Sequence, residues 1–159
     1  MDILIKSVLG IIVSIALLSC NNDDSAASQN PVDNIEKFYC SDSINPMCTE
    51  KVLIDPLRFD TASNDQLSVL NLGIVDNCME IEYGASGCDG STWRLTLLDS
   101  GSLYKNNPPT RKLKFDFHNA EICLAYFVKK KSFDLCPLKQ PGVDSLILIV
   151  SDTTLIYRY

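Results

Sequence analysis

The sequence predicts an all-β protein, an antiparallel meander closing as a β-sandwich or small barrel, preceded by a signal peptide and a flexible tether. Three observations carry this. From residue 66 onward, apolar and polar residues alternate over short runs at the period of half-buried strands. Turn residues separate these runs at short intervals, and no stretch shows a convincing helical period. Ahead of them stand an apolar run that ends at a cysteine and a polar stretch with scarcely any apolar side chain.

Residues 1–19 form the first element. Met1 to Lys6 carry one base, Ser7 to Leu18 are apolar, and the run stops at Ser19-Cys20 before NNDDSAASQN. This is a secretory signal, since a membrane-spanning helix needs about 20 apolar residues. Leu17-Leu18-Ser19-Cys20 resembles a bacterial lipobox. The resemblance implies cleavage before Cys20 and lipidation of that residue, so that the membrane is reached through an N-terminal lipid. Several acyl chains anchor stably because each buried methylene contributes ~0.8 kcal/mol.

The mature chain, 159 − 19 = 140 residues, suffices for one domain with its own core. The removed piece holds one acid and one base, Asp2 and Lys6, so the net charge stays at −6. That balance argues against nucleic acid, whose binding needs Lys and Arg to neutralise phosphates. The basic cluster Lys129-Lys130-Lys131 is expected as solvated or strand-edge charge, the competing reading being contact with an anionic surface.

Residues 20–34 are expected as a tether. Residues 35–65 are expected as an irregular, disulfide-clipped segment with a strand at 51–54 and a short helix at 34–38. The β domain then spans 66–159. Leu70, Leu72 and Ile74 alternate along its first strand, Asp76-Asn77 makes a two-residue turn, and Met79, Ile81 and Tyr83 return on one face. The loop Ala85 to Ser91 precedes a strand with Trp93, Leu95 and Leu97 inward, and Asp99-Ser100-Gly101 reads as a turn. Pro108-Pro109 blocks any element, after which Leu113, Phe115 and Phe117 point inward. Residues 122–135 read as one long strand, Leu146 to Val150 as a continuous apolar strand, and Leu155, Tyr157 and Tyr159 as the inner side of the last. Trp93, Phe115, Phe117, Tyr126 and Tyr157 are expected in the core.

Six cysteines remain after Cys20: Cys40, Cys48, Cys78, Cys88, Cys123 and Cys136. An even number in an exported chain indicates disulfides, and six allow about 15 pairings. A local clip Cys40–Cys48 around the Asn45-Pro46 turn is the expectation from spacing. No zinc-type spacing, Cys-x-x-Cys or second histidine is present, so no metal or cofactor is expected. Catalysis is not expected either. Ser86 lacks the Gly-x-Ser-x-Gly setting, His118 is the single histidine, and Glu80 and Glu82 stand on an outward strand face.

The order NCMEIEYGASGCDGSTWRLTLLDSG, NNPPTRKLKFDFHNAEICLAYFVKKKSFDL and a closing IYRY resembles small flavobacterial-type lipoproteins of Bacteroidetes, which have an all-β domain and no assigned activity. The resemblance implies a Cys88–Cys123 bridge, which with the local clip leaves Cys78 and Cys136. It carries over no catalytic residues. It further implies the outer membrane, with Asp23-Asp24 leaning towards surface display, and O-glycans at Asp-Ser or Asp-Thr, of which Ser25, Ser43 and Thr61 are favoured. The expected function is a monomeric, non-catalytic binding or accessory module for a protein or glycan, using the loops 85–91 and 100–109. The alternative is a protease inhibitor or structural envelope protein working through a Cys40–Cys48 loop.

Overall fold

The computed structural model describes Cys40, residues 44–64 and residues 66–159. The signal segment, Cys20, the tether, the helix expected at 34–38, Ser25 and Ser43 lie outside the described residues. The described chain forms β1 (Glu50–Lys51), β2 (Leu53–Ile54), α1 (Pro56–Thr61), β3 (Ser68–Val75), β4 (Cys78–Gly87), β5 (Arg94–Tyr104), β6 (Thr110–His118), β7 (Ala125–Asp134), a 3₁₀ turn (Cys136–Leu138), β8 (Ser145–Val150) and β9 (Thr153–Arg158).

These strands build two sheets, in the orders β1-β7-β4-β3 and β2-β5-β6-β8-β9, which face each other as a sandwich and do not close into a barrel. The expected all-β class is what the chain adopts, but the path is not a simple meander. β3–β4 and β5–β6 are hairpins in different sheets, β7 returns to pair with β4, and β8 pairs parallel to β6. The short strands β1 and β2 also pair in parallel, one with each sheet. Between them stands buried Val52, so residues 50–54 tie the two sheets together along one side.

The core lies between the sheets. Met79, Ile81, Tyr83 and Phe133 come from one side, and Leu95, Leu97, Leu113, Phe115, Phe117, Leu146, Leu148 and Tyr157 from the other. Along the other side of the sandwich, the Tyr157 hydroxyl donates to Asn77 Oδ1 at 2.7 Å, joining β9 to the β3–β4 turn. At one end of the core, buried Arg111 meets buried Asp99 at 2.9 Å. Burial pushes the Asp99 carboxyl pKa up, while Arg111 and the Gly101 N–H pull it back.

Several expectations are corrected. A bulge between Val69 and Asn71 shifts the phase of β3, so Leu72 and Ile74 pack inward whereas Leu70 is 52% exposed. Asp99-Ser100-Gly101 is no turn but an irregularity inside β5, where Asp99 Oδ1 accepts from Gly101 N at 2.7 Å and Gly101 takes φ 75°. Residues 56–61 are helical because Asp55 caps the Arg58 N–H and Pro56 fits the first turn. β7 begins only at Ala125, and Tyr126, expected in the core, is 53% exposed on the outer face over Gly84.

The disulfides also differ from spacing. Cys40 bonds Cys136 and Cys48 bonds Cys78, so the local Cys40–Cys48 clip is not formed. Cys78 and Asp134 are register partners in β4 and β7, and Asn45 N donates to Asp134 Oδ2 at 3.2 Å. The segment around residues 45–48 is therefore laid against the end of the first sheet, which brings Cys48 to Cys78. Cys88 bonds Cys123, the pairing that the resemblance implies.

Candidate interaction site

The most built-up surface feature lies where β4 and β7 meet their loops. After Gly87 the chain turns through residues 88–92, with Gly90 at φ 72° and Asp89 Oδ1 accepting from Ser91 N at 2.8 Å. Successive N–H groups point to one spot, an arrangement that attracts an anion. The Glu121 carboxylate fills it. Oε2 accepts from Cys88 N at 2.6 Å, Gly90 N at 2.9 Å and Asp89 N at 3.2 Å, and Oε1 accepts from Thr92 N at 3.1 Å and Thr92 Oγ1 at 3.2 Å. Desolvation opposes ionisation of this carboxyl, but the donors of Gly90, Thr92, Cys88 and Asp89 outweigh it and hold the pKa at about 2.

The approach to Glu121 is set by Asn119, whose Oδ1 accepts from Glu121 N at 2.9 Å and whose Nδ2 donates to Ser86 O at 2.7 Å. The exit is set by the Cys88–Cys123 bridge and by Ala125, which pairs with Gly87. From β7, Lys129 Nζ donates to Gly90 O at 2.6 Å and lies 5.3 Å from the Trp93 ring. Beneath, Tyr83, Trp93 and Phe117 pack edge-on or tilted with centroids 5.6–6.1 Å apart. A Cβ on Gly87 would run into Glu121 Oε2 and the Trp93 indole, so this approach needs glycine.

On this support stand Ile122, 94% exposed, and Leu124, 92% exposed, with Cys123 between them bonded back into the fold. No hydrogen bond among the described residues reaches the main chain of Ile122, Cys123 or Leu124. The side chains of Ile122 and Leu124 and the peptide groups of this three-residue tip are thus open to a partner.

The residues singled out from sequence distribute as follows. Loop 88–92 does not present its N–H groups outward, because Glu121 occupies them. Residues 100–104 lie within β5, leaving 105–109 as the loop, with a cis Asn107-Pro108 bond. Glu80 and Glu82 line an open groove of about 380 Å³ on the outer face of the first sheet with Gly73, Lys130, Thr49 and Ser132, and Glu82 pairs with Lys130 at 3.6 Å. Ser86 contributes its carbonyl to Asn119, while His118 Nε2 lies 3.5 Å from Asp116 Oδ1 and no hydrogen bond joins it to a serine among the described residues. Thr61 ends α1, exposed, with Oγ1 3.3 Å from Arg58 O.

The lysine cluster is split by strand alternation. Lys129 and Lys131 sit opposite core-facing Tyr83 and Ile81, and Lys131 Nζ donates to Leu95 O at 2.6 Å and pairs with Glu50 at 2.8 Å. Their stems cover the core and their amines bridge to chain beyond β7, so only Lys130 faces outward. The three therefore form no single patch for an anionic surface. Among the described residues no group of three potential ligands is placed to hold a metal.

No family model and no curated protein matches the chain. Two solved structures are similar to the chain over part of their length. A Bacteroides vulgatus protein of unknown function, DUF1344, has TM-score 0.50 at 13% identity over 70% of this chain and 56% of its own. A toxin-related protein of Parabacteroides distasonis has TM-score 0.44 at 16% identity over 70% of this chain and 60% of its own. The chain thus spans more than half but under two-thirds of each. At such identities the first likeness bears on the fold alone, and nothing about activity is transferred from either.

Proposed function

We propose that this is a lipid-anchored envelope protein whose domain is a non-catalytic binding module. The observation that carries the binding role is the tip, where two aliphatic side chains are displayed on a loop fixed by a disulfide and a five-donor carboxylate. Exposed aliphatic residues held rigidly are suited to recognition, because little ordering entropy remains to be lost on association. The anchor rests on Leu17-Leu18-Ser19-Cys20, and three disulfides in the domain fit an oxidising compartment outside the cytoplasm.

The chain enters the described domain at Cys40, bonded to Cys136 just past the end of β7, whereas the tip precedes its start. A ten-residue strand spans about 33 Å, so Cys40 and the tip belong to opposite ends of the first sheet. Cys20→Ala should shift the protein from the membrane to the soluble fraction or leave it uncleaved, and a normal membrane-bound mature form would refute the anchor. Labelling of Lys105 and Lys130 on intact cells with an impermeant amine reagent reports the outer-surface location, and labelling only after outer-membrane rupture reports the periplasmic one.

An inhibitor is favoured over a structural envelope role by the same tip, which takes the place of the unformed Cys40–Cys48 loop.

A further inference from the structure

We propose that the Glu121–Ala125 loop is a substrate-like segment that occupies the cleft of an endopeptidase with an apolar primary pocket, Leu124 entering that pocket and Ile122 a second site two residues upstream. This rests on the binding-module reading and deepens it. Three independent features converge here. Ile122 and Leu124 are the two most exposed large hydrophobic residues described, at 94% and 92%. The main-chain donors and acceptors of Ile122, Cys123 and Leu124 have no partner within the described residues, and none of the three has a positive φ. Open peptide groups with alternate side chains free are what a cleft reads when it pairs an extended segment by main-chain hydrogen bonds and takes every second side chain in a pocket.

The third feature is how the ends are held. Hydrolysis after Leu124 would add water across the Leu124–Ala125 peptide, leaving a carboxylate on Leu124 and an amine on Ala125. The upstream end would stay fixed by Cys88–Cys123 and by the Glu121 hydrogen bonds. The downstream end would stay in the β4–β7 ladder, which begins with the Gly87 and Ala125 pair. The new termini remain side by side, so product release is blocked and resynthesis of the bond is intramolecular. A lipid surface explains this construction less well. Lipid rewards apolar area but not a fixed loop shape, and a chain of net charge −6 is repelled by anionic headgroups.

The test uses the full mature chain in detergent against chymotrypsin, pancreatic elastase and subtilisin, with trypsin as the counter-probe. The expected result is tight inhibition of at least one of the first three, weakened by about 100-fold in Leu124→Asp, as for loss of a central anchor. Leu124→Lys should lose that inhibition and acquire inhibition of trypsin. Both substitutions replace an exposed side chain, and an unchanged near-ultraviolet circular dichroism spectrum confirms the fold. The proposal is overturned if the wild-type chain inhibits none of the three and Leu124→Lys does not inhibit trypsin. It is equally overturned if the loop is cut with release of separated fragments, or if Leu124→Asp abolishes only binding to phosphatidylethanolamine–phosphatidylglycerol vesicles. Inhibition is read on purified protein, so its failure is separable from failure of the membrane anchor, which fractionation of Cys20→Ala decides.

Discussion

Glu121 is the residue on which the tip depends, because its single carboxylate satisfies four backbone N–H groups that would otherwise point at one another's positive ends. Its pKa is lowered from 4.5 to about 2. A group depressed in the folded state stabilises fully above its unfolded pKa and loses that contribution as pH falls through the folded value. Glu121→Gln should therefore lower the melting temperature by a constant amount from pH 6 to 8. The gap to wild type should then narrow between about pH 4.5 and pH 2. A gap that stays constant down to pH 2, followed by calorimetry, would show that the carboxylate charge is not what holds the loop. Legibility was poor here. The sequence marks the loop Ala85 to Ser91, but 29 residues separate Glu121 from Thr92 and no local pattern joins them.

At the scale of elements, the informative piece is the β1–Val52–β2 strap. Its two strands have only two residues each, and each is parallel to a different sheet. Val52 N donates to Asp134 O at 3.1 Å and its side chain is buried in the common core. Val52→Ala removes two methyl groups from that position and should cost about 2 kcal/mol by lost burial and an unfilled cavity, measured by urea unfolding. Leu53→Ala, on an exposed neighbour, should cost far less, and equal losses would mean that Val52 does not join the sheets. The alternating cores of β4, β6 and β9 were readable because a one-sided strand must repeat every second residue. The bulge in β3 and the late start of β7 were not, since both are settled by which partner strand is alongside.

For the whole molecule, the three disulfides set the order of stability. Cys40–Cys136 spans 96 residues, against 30 for Cys48–Cys78 and 35 for Cys88–Cys123. In the chain-entropy view the first contributes about 4–5 kcal/mol and the others about 3–4 kcal/mol each. The double variant Cys40→Ala/Cys136→Ala should thus show the largest fall in unfolding free energy in non-reducing denaturant titration. Cys88→Ala/Cys123→Ala should lose less stability yet abolish the proposed protease inhibition, because it frees the tip. A reversed ranking would show that loop length is not the controlling variable.

The sequence by itself determined the all-β class, most strand positions and the participation of six cysteines in bridges, because each follows from a local period or a count. Only the tertiary structure decided that the strands divide between two mixed sheets, that Cys40 meets Cys136 and Cys48 meets Cys78, and that Lys129 and Lys131 span the open side of the core. It alone lifted Ile122 and Leu124 out of an apparently continuous apolar strand. Those outcomes depend on contacts between residues far apart in the chain, where burial and hydrogen-bond satisfaction select one arrangement from many that the local pattern permits.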